Sequence, residues 1–359
     1  MKHLVLGILT ATAALAGYSP TPASAQSEIT LILGQSAVTS NEAFNVFVPL
    51  HLGYFKDENL KVEYQTSQGG TQVIQLLSAG KGDIGLSAVP GVILARQQGI
   101  DIVANYNYLR SHSTALAVLA NGPIKEPKDL TGKIIGVVSM AATRTFDGRA
   151  MVKAAGLDPD KDVQWVPVGF GAQAATALSR NTVSALALWD ATYVDMQNQG
   201  IDLKFFTFPF QKDLVGFVYV STDAKMAARR ADIIKFFRAV TKGTVFATAN
   251  PEAAACIYLN ASGDIRQAKD KEKALRDATN VVKDNVKNAV RSDPGQLWGS
   301  FPANAWSVNA KYYQDLGVVK GNLPPANSLY VPDEAYYKAI NDFDAAKIVE
   351  QAKAYKCQL

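Results

Sequence analysis

Apolar positions along this chain change period in a regular way. Residues 28–35 alternate apolar and polar as a strand does. Phe44, Phe47, Val48 and Leu52 then fall at helical spacing, predicting a helix over Asn41–Tyr54. Strands are expected at Leu60–Gln65, Ile84–Ala88 and Ile100–Tyr106. Between them a helix over Thr71–Ala79 stops at Gly80, and another opens at Pro90 and ends near Gly99. The alternation then repeats. Strands are predicted at Lys133–Val138, Val163–Val168, Val183–Leu188 and Leu203–Phe206, and helices at Thr143–Ala155, Ala172–Ser179 and Ala191–Gln199. Extended segments Thr114–Ala120 and Val215–Ser221 flank this second series and are natural crossovers between two lobes. After residue 222 the pattern is almost wholly helical, broken by Pro251, Gly263, Pro294, Pro302 and Pro324-Pro325. Strands alternating with helices of this length predict an α/β fold with parallel or mixed sheets.

Length and charge narrow the function. The 359 residues allow one large or two medium domains, and 48% apolar content supports a full core. A formal charge of +4 is too small and too dispersed for a nucleic-acid surface. The Lys/Arg-rich stretch Arg266–Arg291 is interleaved with acids and reads as a solvated helix face. Residues 1–25 read as a cleavable signal peptide: Lys2 and His3, an apolar run Leu4–Leu15 shorter than the ~20 residues of a membrane span, then Ala23-Ser24-Ala25. Tyr18, rather than a cysteine, follows Leu15-Ala16-Gly17, which argues against a lipoprotein. A soluble protein of the periplasm is expected. Cys256 and Cys357 are too far apart in sequence for a CxxC motif. A disulfide tying the C-terminal tail to a helix and two unpaired cysteines both fit the sequence.

Several blocks, taken in order, carry a resemblance. They are His51–Glu63 (a helix end, a tight turn and a strand), Gly69-Gly70-Thr71, Ser78–Asp83 leading into Ile84–Ala88, and Asp129–Val137. This series resembles the solute-binding proteins of ABC importers, in the nitrate, sulfonate, taurine and thiamine-precursor branch. The resemblance covers roughly residues 28–250. It implies a two-lobe periplasmic-binding-protein fold of type II, with lobe 1 from 26–115 and 218–359 and lobe 2 from 116–217. The C-terminal helices would pack on lobe 1. It also implies a small-molecule ligand, an ABC permease and its ATPase as partners, peripheral contact with the transporter at the inner membrane, and a monomer.

Ligands of open α/β sheets bind beyond the carboxyl ends of strands, beside helix starts. Reading those positions selects Gln35, Asn41, Gly70, Thr71, Ser87 and Ala88 on the first wall, and Ser139, Thr143, Arg144, Trp189 and Asp190 on the second. Gly70-Thr71 and Ala142-Thr143 would aim two helix starts at an anionic or strongly polar group. Each of these residues is equally readable as an ordinary cap or turn residue. Arg144 would clamp a carboxylate or sulfonate, or pair with Asp147. Asp190 would hold a cationic or amide donor, or cap its own helix. Phe44, Phe170 and Trp189 would supply an apolar wall, with core packing as the alternative for Phe44. Tyr106 and Tyr108 carry less weight.

Catalytic signatures are sparse. Of His3, His51 and His112, the first leaves with the signal peptide and the others carry no triad spacing; HExxH, GxSxG and Walker patterns do not occur. Some relatives of the family make a thiamine pyrimidine from their own histidine and a pyridoxal cofactor, using a cysteine-rich iron-binding motif. This chain departs from that motif. The expectation is therefore a non-enzymatic binding protein without a cofactor or metal. It would take a small organic anion (an alkyl sulfonate, taurine or an aromatic carboxylate); the alternatives are a binder of a thiamine-precursor pyrimidine or another neutral heterocycle, or a THI5-like enzyme on the same fold.

Overall fold

A computed structural model describes residues 25–111, 114–140, 142–289 and 295–359. The expected signal peptide and His112 lie outside the described residues. Among the described residues, ten strands form two five-stranded sheets. The first contains β1 (Ser27–Leu33), β2 (Leu60–Thr66), β3 (Ile84–Ala88), β4 (Ile102–Leu109) and β10 (Phe217–Thr222), in the order β2-β1-β3-β10-β4. The second contains β5 (Thr114–Leu119), β6 (Lys133–Val137), β7 (Val163–Pro167), β8 (Ala185–Trp189) and β9 (Leu203–Phe206), in the order β7-β6-β8-β5-β9. The chain thus passes from one sheet to the other between Leu109 and Thr114 and returns between Phe206 and Phe217.

In each sheet the strand nearest a crossover runs against its neighbours. β10 pairs antiparallel with β3, setting Phe217 opposite Ala88, and β5 pairs antiparallel with β8, setting Thr114 opposite Trp189. The first residues of β10 and β5 therefore lie at the same edge as the last residues of the parallel strands. Both carboxyl edges meet at the seam between the lobes.

Helices cover the faces of both sheets. β3 and β4 are buried along their whole length, as strands covered on both faces must be, and both are accordingly rich in apolar residues. The core of the first lobe joins the sheet to the long helix Asp223–Ala249, which is kinked at Arg229. Phe237 stacks on Tyr106 with centroids 4.8 Å apart, and Phe236 stacks on Phe55 at 5.2 Å. The second lobe keeps two smaller clusters, one on each side of its sheet, around Leu186 and Leu188 and around Ile135 and Met151.

Two segments differ from the sequence expectation. Asn41–Tyr54 is helical but not one α-helix: Ser40–Glu42 is a 3-10 turn, Ala43–Phe47 is a π turn, and only Val48–His51 is α-helical. Pro49 has no N–H to give the Asn45 carbonyl, and the Val48 N–H reaches back five residues to Ala43 instead. Helix Lys271–Ala289 is not merely a solvated face. Val281, Val282, Asn285, Val286 and Asn288 are buried, and it packs on Pro251–Ser262 of the first lobe and also on Asp190–Asn198 of the second. Asn198 Nδ2 donates to the Asp277 carbonyl at 3.0 Å across that contact.

Cys256 and Cys357 form a disulfide with a Cα separation of 5.8 Å, tying the tail to helix Pro251–Ser262. No helix among the described residues is long and apolar enough to cross a membrane.

Candidate functional site

A cavity of about 30 Å³ lies where the two carboxyl edges meet. From the first lobe it is lined by Gln35 after β1, Asn41 and Glu42 in the 3-10 turn, Gly70 at a helix start, Tyr108 and Leu109 at the end of β4, and Phe217 at the start of β10. From the second lobe come Val138, Ala142, Thr143, Arg144 and Trp189. The space holds a few waters, and in a ligand-binding role the lobes or the Arg144 side chain would move to admit an organic ring.

The first-lobe wall is a hydrogen-bonded frame. Thr39 and Glu42 form a capping box: the Thr39 N–H donates to Glu42 Oε2 at 2.9 Å, and the Thr39 hydroxyl accepts from the Asn41 N–H at 3.2 Å. Asn41 Nδ2 donates to Glu42 Oε1 at 2.9 Å. Behind them Asn285 Nδ2 donates to the Asn41 carbonyl at 2.9 Å and to the Tyr108 hydroxyl at 3.3 Å. Glu42 is almost wholly buried, and desolvation pushes its pKa up to about 7 even though those hydrogen bonds oppose it. Burial also holds the Tyr108 hydroxyl well above the usual phenol range, so it stays protonated.

A cation of the second-lobe wall, Arg144, lies against aromatic rings of both lobes. The Arg144 guanidinium carbon lies 4.3 Å from the Phe217 ring centroid and 5.6 Å from that of Trp189. Desolvation lowers the Arg144 pKa, against the pull of Asp147 and Asp190, but a guanidinium keeps its charge. Phe170 backs Trp189, with centroids 5.6 Å apart.

Two residues of this lining each carry a polar side-chain atom buried without a hydrogen-bond partner among the described residues: Asn41 its Oδ1, an acceptor, and Trp189 its Nε1–H, a donor. Leaving such groups unpaired costs about 1–3 kcal/mol each, so a partner that paired both would recover that cost.

Six of the residues selected from sequence line the cavity: Gln35, Asn41, Gly70, Thr143, Arg144 and Trp189. The other seven do not. Phe44 is fully buried behind Tyr108, 5.6 Å between centroids, as a core residue. Thr71 faces a separate cavity shared with Gly91 and Phe146. Ser87 is buried and donates to the Ala88 carbonyl, while the Ala88 N–H donates to Thr143 Oγ1 at 3.1 Å. Ser139 lies at the rim, its hydroxyl donating to the Gln68 carbonyl at 2.7 Å. Phe170 stands behind Trp189. Asp190 accepts from Asn288 Nδ2 at 3.2 Å and acts on Arg144 through its charge.

Glu42 and Phe217 are the residues the sequence reading missed. Glu42 is visible there only as the fourth residue of a Thr-x-x-Glu capping box. Phe217 escapes a search of strand carboxyl ends because it opens an antiparallel strand.

Known proteins share this architecture. The alkanesulfonate-binding protein of Xanthomonas axonopodis pv. citri superposes with a TM-score of 0.64 at 15% identity, covering 86% of this chain and 99% of that one. The periplasmic nitrate-binding protein of Synechocystis does so at 0.55 and 13% identity, covering 91% and 88%. The fold is therefore that of periplasmic binding proteins. In sequence, a formylaminopyrimidine-binding protein of Halalkalibacterium halodurans is 27% identical over 219 residues, 60% of this chain and 65% of that protein, just under two thirds of its length. A 4-amino-5-hydroxymethyl-2-methylpyrimidine phosphate synthase of Candida albicans is 25% identical over 237 residues, 61% of this chain and 68% of that protein. Residues 41–254 match the NMT1/THI5-like family, well over half of the chain, and the protein belongs to that family.

Proposed function

We propose that this protein is the substrate-binding component of an ABC-type importer, exported to the periplasm, and that its ligand is an aminopyrimidine or a closely related amine-bearing heterocycle. The observation that carries the reading is the orphan pair Asn41 Oδ1 and Trp189 Nε1–H in one lining. An exocyclic amine supplies the donor that Asn41 lacks, and a ring nitrogen supplies the acceptor that Trp189 lacks. Glu42, beside Asn41, offers a second acceptor when ionised and a donor when protonated. A flat ring also suits the slot between Phe217 and Trp189 that the planar Arg144 guanidinium now fills. A sulfonate offers acceptors only. It would satisfy Trp189 and Arg144 but leave Asn41 Oδ1 unpaired and face the Glu42 carboxylate. The sequence reading, which could not see Glu42 buried, ranks the anion first; the lining favours the opposite order.

Binding in this reading closes the lobes about the two crossovers, with contacts from both walls stabilising the closed form. The disulfide suits an oxidising compartment. The formylaminopyrimidine-binding relative supports the ligand class. The synthase relatives raise an enzymatic alternative. The cavity lining holds no histidine, lysine or cysteine, and both cysteines are joined in the remote disulfide, so no synthetic step is assigned to these residues.

A thermal-shift panel of aminopyrimidines, alkyl sulfonates, taurine, aromatic carboxylates and nitrate tests the proposal. An aminopyrimidine is expected to raise the melting point, with ~2.7 kcal/mol gained at a hundredfold excess over Kd. Stabilisation by sulfonates alone would overturn it, and turnover of the bound pyrimidine would favour the enzyme.

A further inference from the structure

Thr143 sits one residue before Arg144 at the start of helix Arg144–Ala154, and only 1% of it is exposed. It is buried against the opposite lobe. Its Oγ1 accepts the Ala88 N–H at 3.1 Å, and its methyl group enters a socket between Gly70 and Gly91. A Cβ on Gly70 would lie 2.5 Å from Thr143 Oγ1 and 2.8 Å from its Cγ2; a Cβ on Gly91 would lie 2.5 Å from Cγ2. Neither glycine has a left-handed backbone, so neither is required by its own conformation. Gly91 lies inside helix Val89–Gln97, where alanine is the better helix former. The nearest atom that a side chain there would meet is the Thr143 methyl from the other lobe.

We infer that Thr143 is a keystone of lobe closure: a positioning residue that seats between Gly70 and Gly91, takes the free N–H of Ala88, and thereby sets where Arg144 enters the ligand cavity. The closed geometry is then specified by a protein–protein contact as well as by the ligand. The inference rests on the cleft-closing reading above but not on the identity of the ligand.

Disulfide trapping across the rim tests it in ligand-free protein. Ser139 and Gln68 touch across the seam, outside the central cavity, so Gln68→Cys/Ser139→Cys should cross-link under oxidised glutathione at a rate that follows the closed population. Native Cys256–Cys357 stays intact and is checked by mass spectrometry. Adding Gly91→Ala should slow cross-linking at least about tenfold, the usual scale of overpacking a close contact. Thr143→Ser removes the methyl but keeps the hydroxyl, and adding it to Gly91→Ala should restore the rate to within about threefold of the parent.

The rescue separates closure from local strain, because an alanine at 91 would also approach Ser87 Oγ, at 2.7 Å, within its own lobe. Strain of that kind is not relieved by changing Thr143. An unchanged rate in Gly91→Ala, a failed rescue, or a parent that never cross-links would each overturn the inference. None of these depends on an aminopyrimidine binding, so a wrong ligand class and a wrong closure contact give different results.

Discussion

The two walls of the cavity are built differently. The first-lobe wall is a frame of main-chain and side-chain hydrogen bonds: a 3-10 turn, its capping box, and Asn285 behind it holding Asn41 and Tyr108 in place. The second-lobe wall is made of side chains projecting from a helix start and a strand end, Thr143, Arg144 and Trp189. In the proposed reading the first wall supplies the hydrogen-bonding pattern, and the second, together with Phe217 of the first lobe, the flat surfaces and the charge on closure. A framed wall would lower the cost of ordering the site, and opening of the lobes would let a ligand enter.

The lobes also differ in their ties, and the largest expected effect breaks that difference. The Cys256–Cys357 disulfide closes a separation of 101 residues wholly within the C-terminal part of the chain. Cys256→Ser/Cys357→Ser should lower stability by ~2–5 kcal/mol in chemical denaturation. Amide exchange should show the loss in helix Pro251–Ser262 and the tail, with strands β6–β8 of the second lobe little affected.

Each lobe holds a buried acid, and titration distinguishes them. Glu42 in the first wall is raised to about 7, and Asp195 in the second lobe, desolvated and near Asp277, to about 6. Both pKa values lie above those of the unfolded chain. The native state therefore binds more protons, and stability is highest below the unfolded pKa and falls as pH rises through the folded one. For Glu42 the fall is roughly 3 kcal/mol between about pH 4.5 and 7.5. Urea melts across pH should show that slope. Glu42→Gln should flatten it up to about pH 7, and Asp195→Asn only its part between about pH 4 and 6.

Trp189→Phe sharpens the role of the second-lobe wall. It keeps the ring and deletes the orphan N–H. Aminopyrimidine affinity should fall by about 10–100-fold in calorimetry, while the ligand-free protein becomes slightly more stable, by up to ~1 kcal/mol, because a buried unpaired donor is gone. Equal or lower stability with unchanged affinity would remove Trp189 from the recognition scheme. The smallest effect belongs to the rim: Ser139→Ala, losing one bond to Gln68, should change closure or affinity by no more than ~1 kcal/mol.

Much of the fold was readable from periodicity alone. β3, β9 and helix Ala172–Ser179 lie where the alternation puts them, and most other boundaries fall within two residues, because each element has one buried face or two. Thr114–Ala120 and Val215–Ser221, expected as the crossovers, are instead strands β5 and β10 inside the two sheets, each just after a crossover. The candidate site was only half readable. Positions after parallel strands led to Gln35, Asn41, Gly70, Thr143, Arg144 and Trp189. The same rule passes over Phe217, whose strand runs the other way. Glu42 could not be ranked, since a capping-box glutamate is usually solvated; its burial comes with the return of distant helices, including the Asn285 contact to Asn41, 244 residues away in sequence. Ser87 and Ala88 were rightly placed at a strand end, but Thr143 from the other lobe lies over them, a contact that no local pattern encodes.

The most direct measurement of the central claim is calorimetric titration of two matched pyrimidines at pH 8, one with a 4-amino group and one with a 4-methyl group in its place, alongside an alkyl sulfonate. A site built around the Asn41 acceptor and the Trp189 donor should bind the amino compound at least ~100-fold more tightly than its methyl analogue, which has no N–H to offer. Equal affinity for the two pyrimidines, or binding of the sulfonate with neither pyrimidine bound, would contradict it.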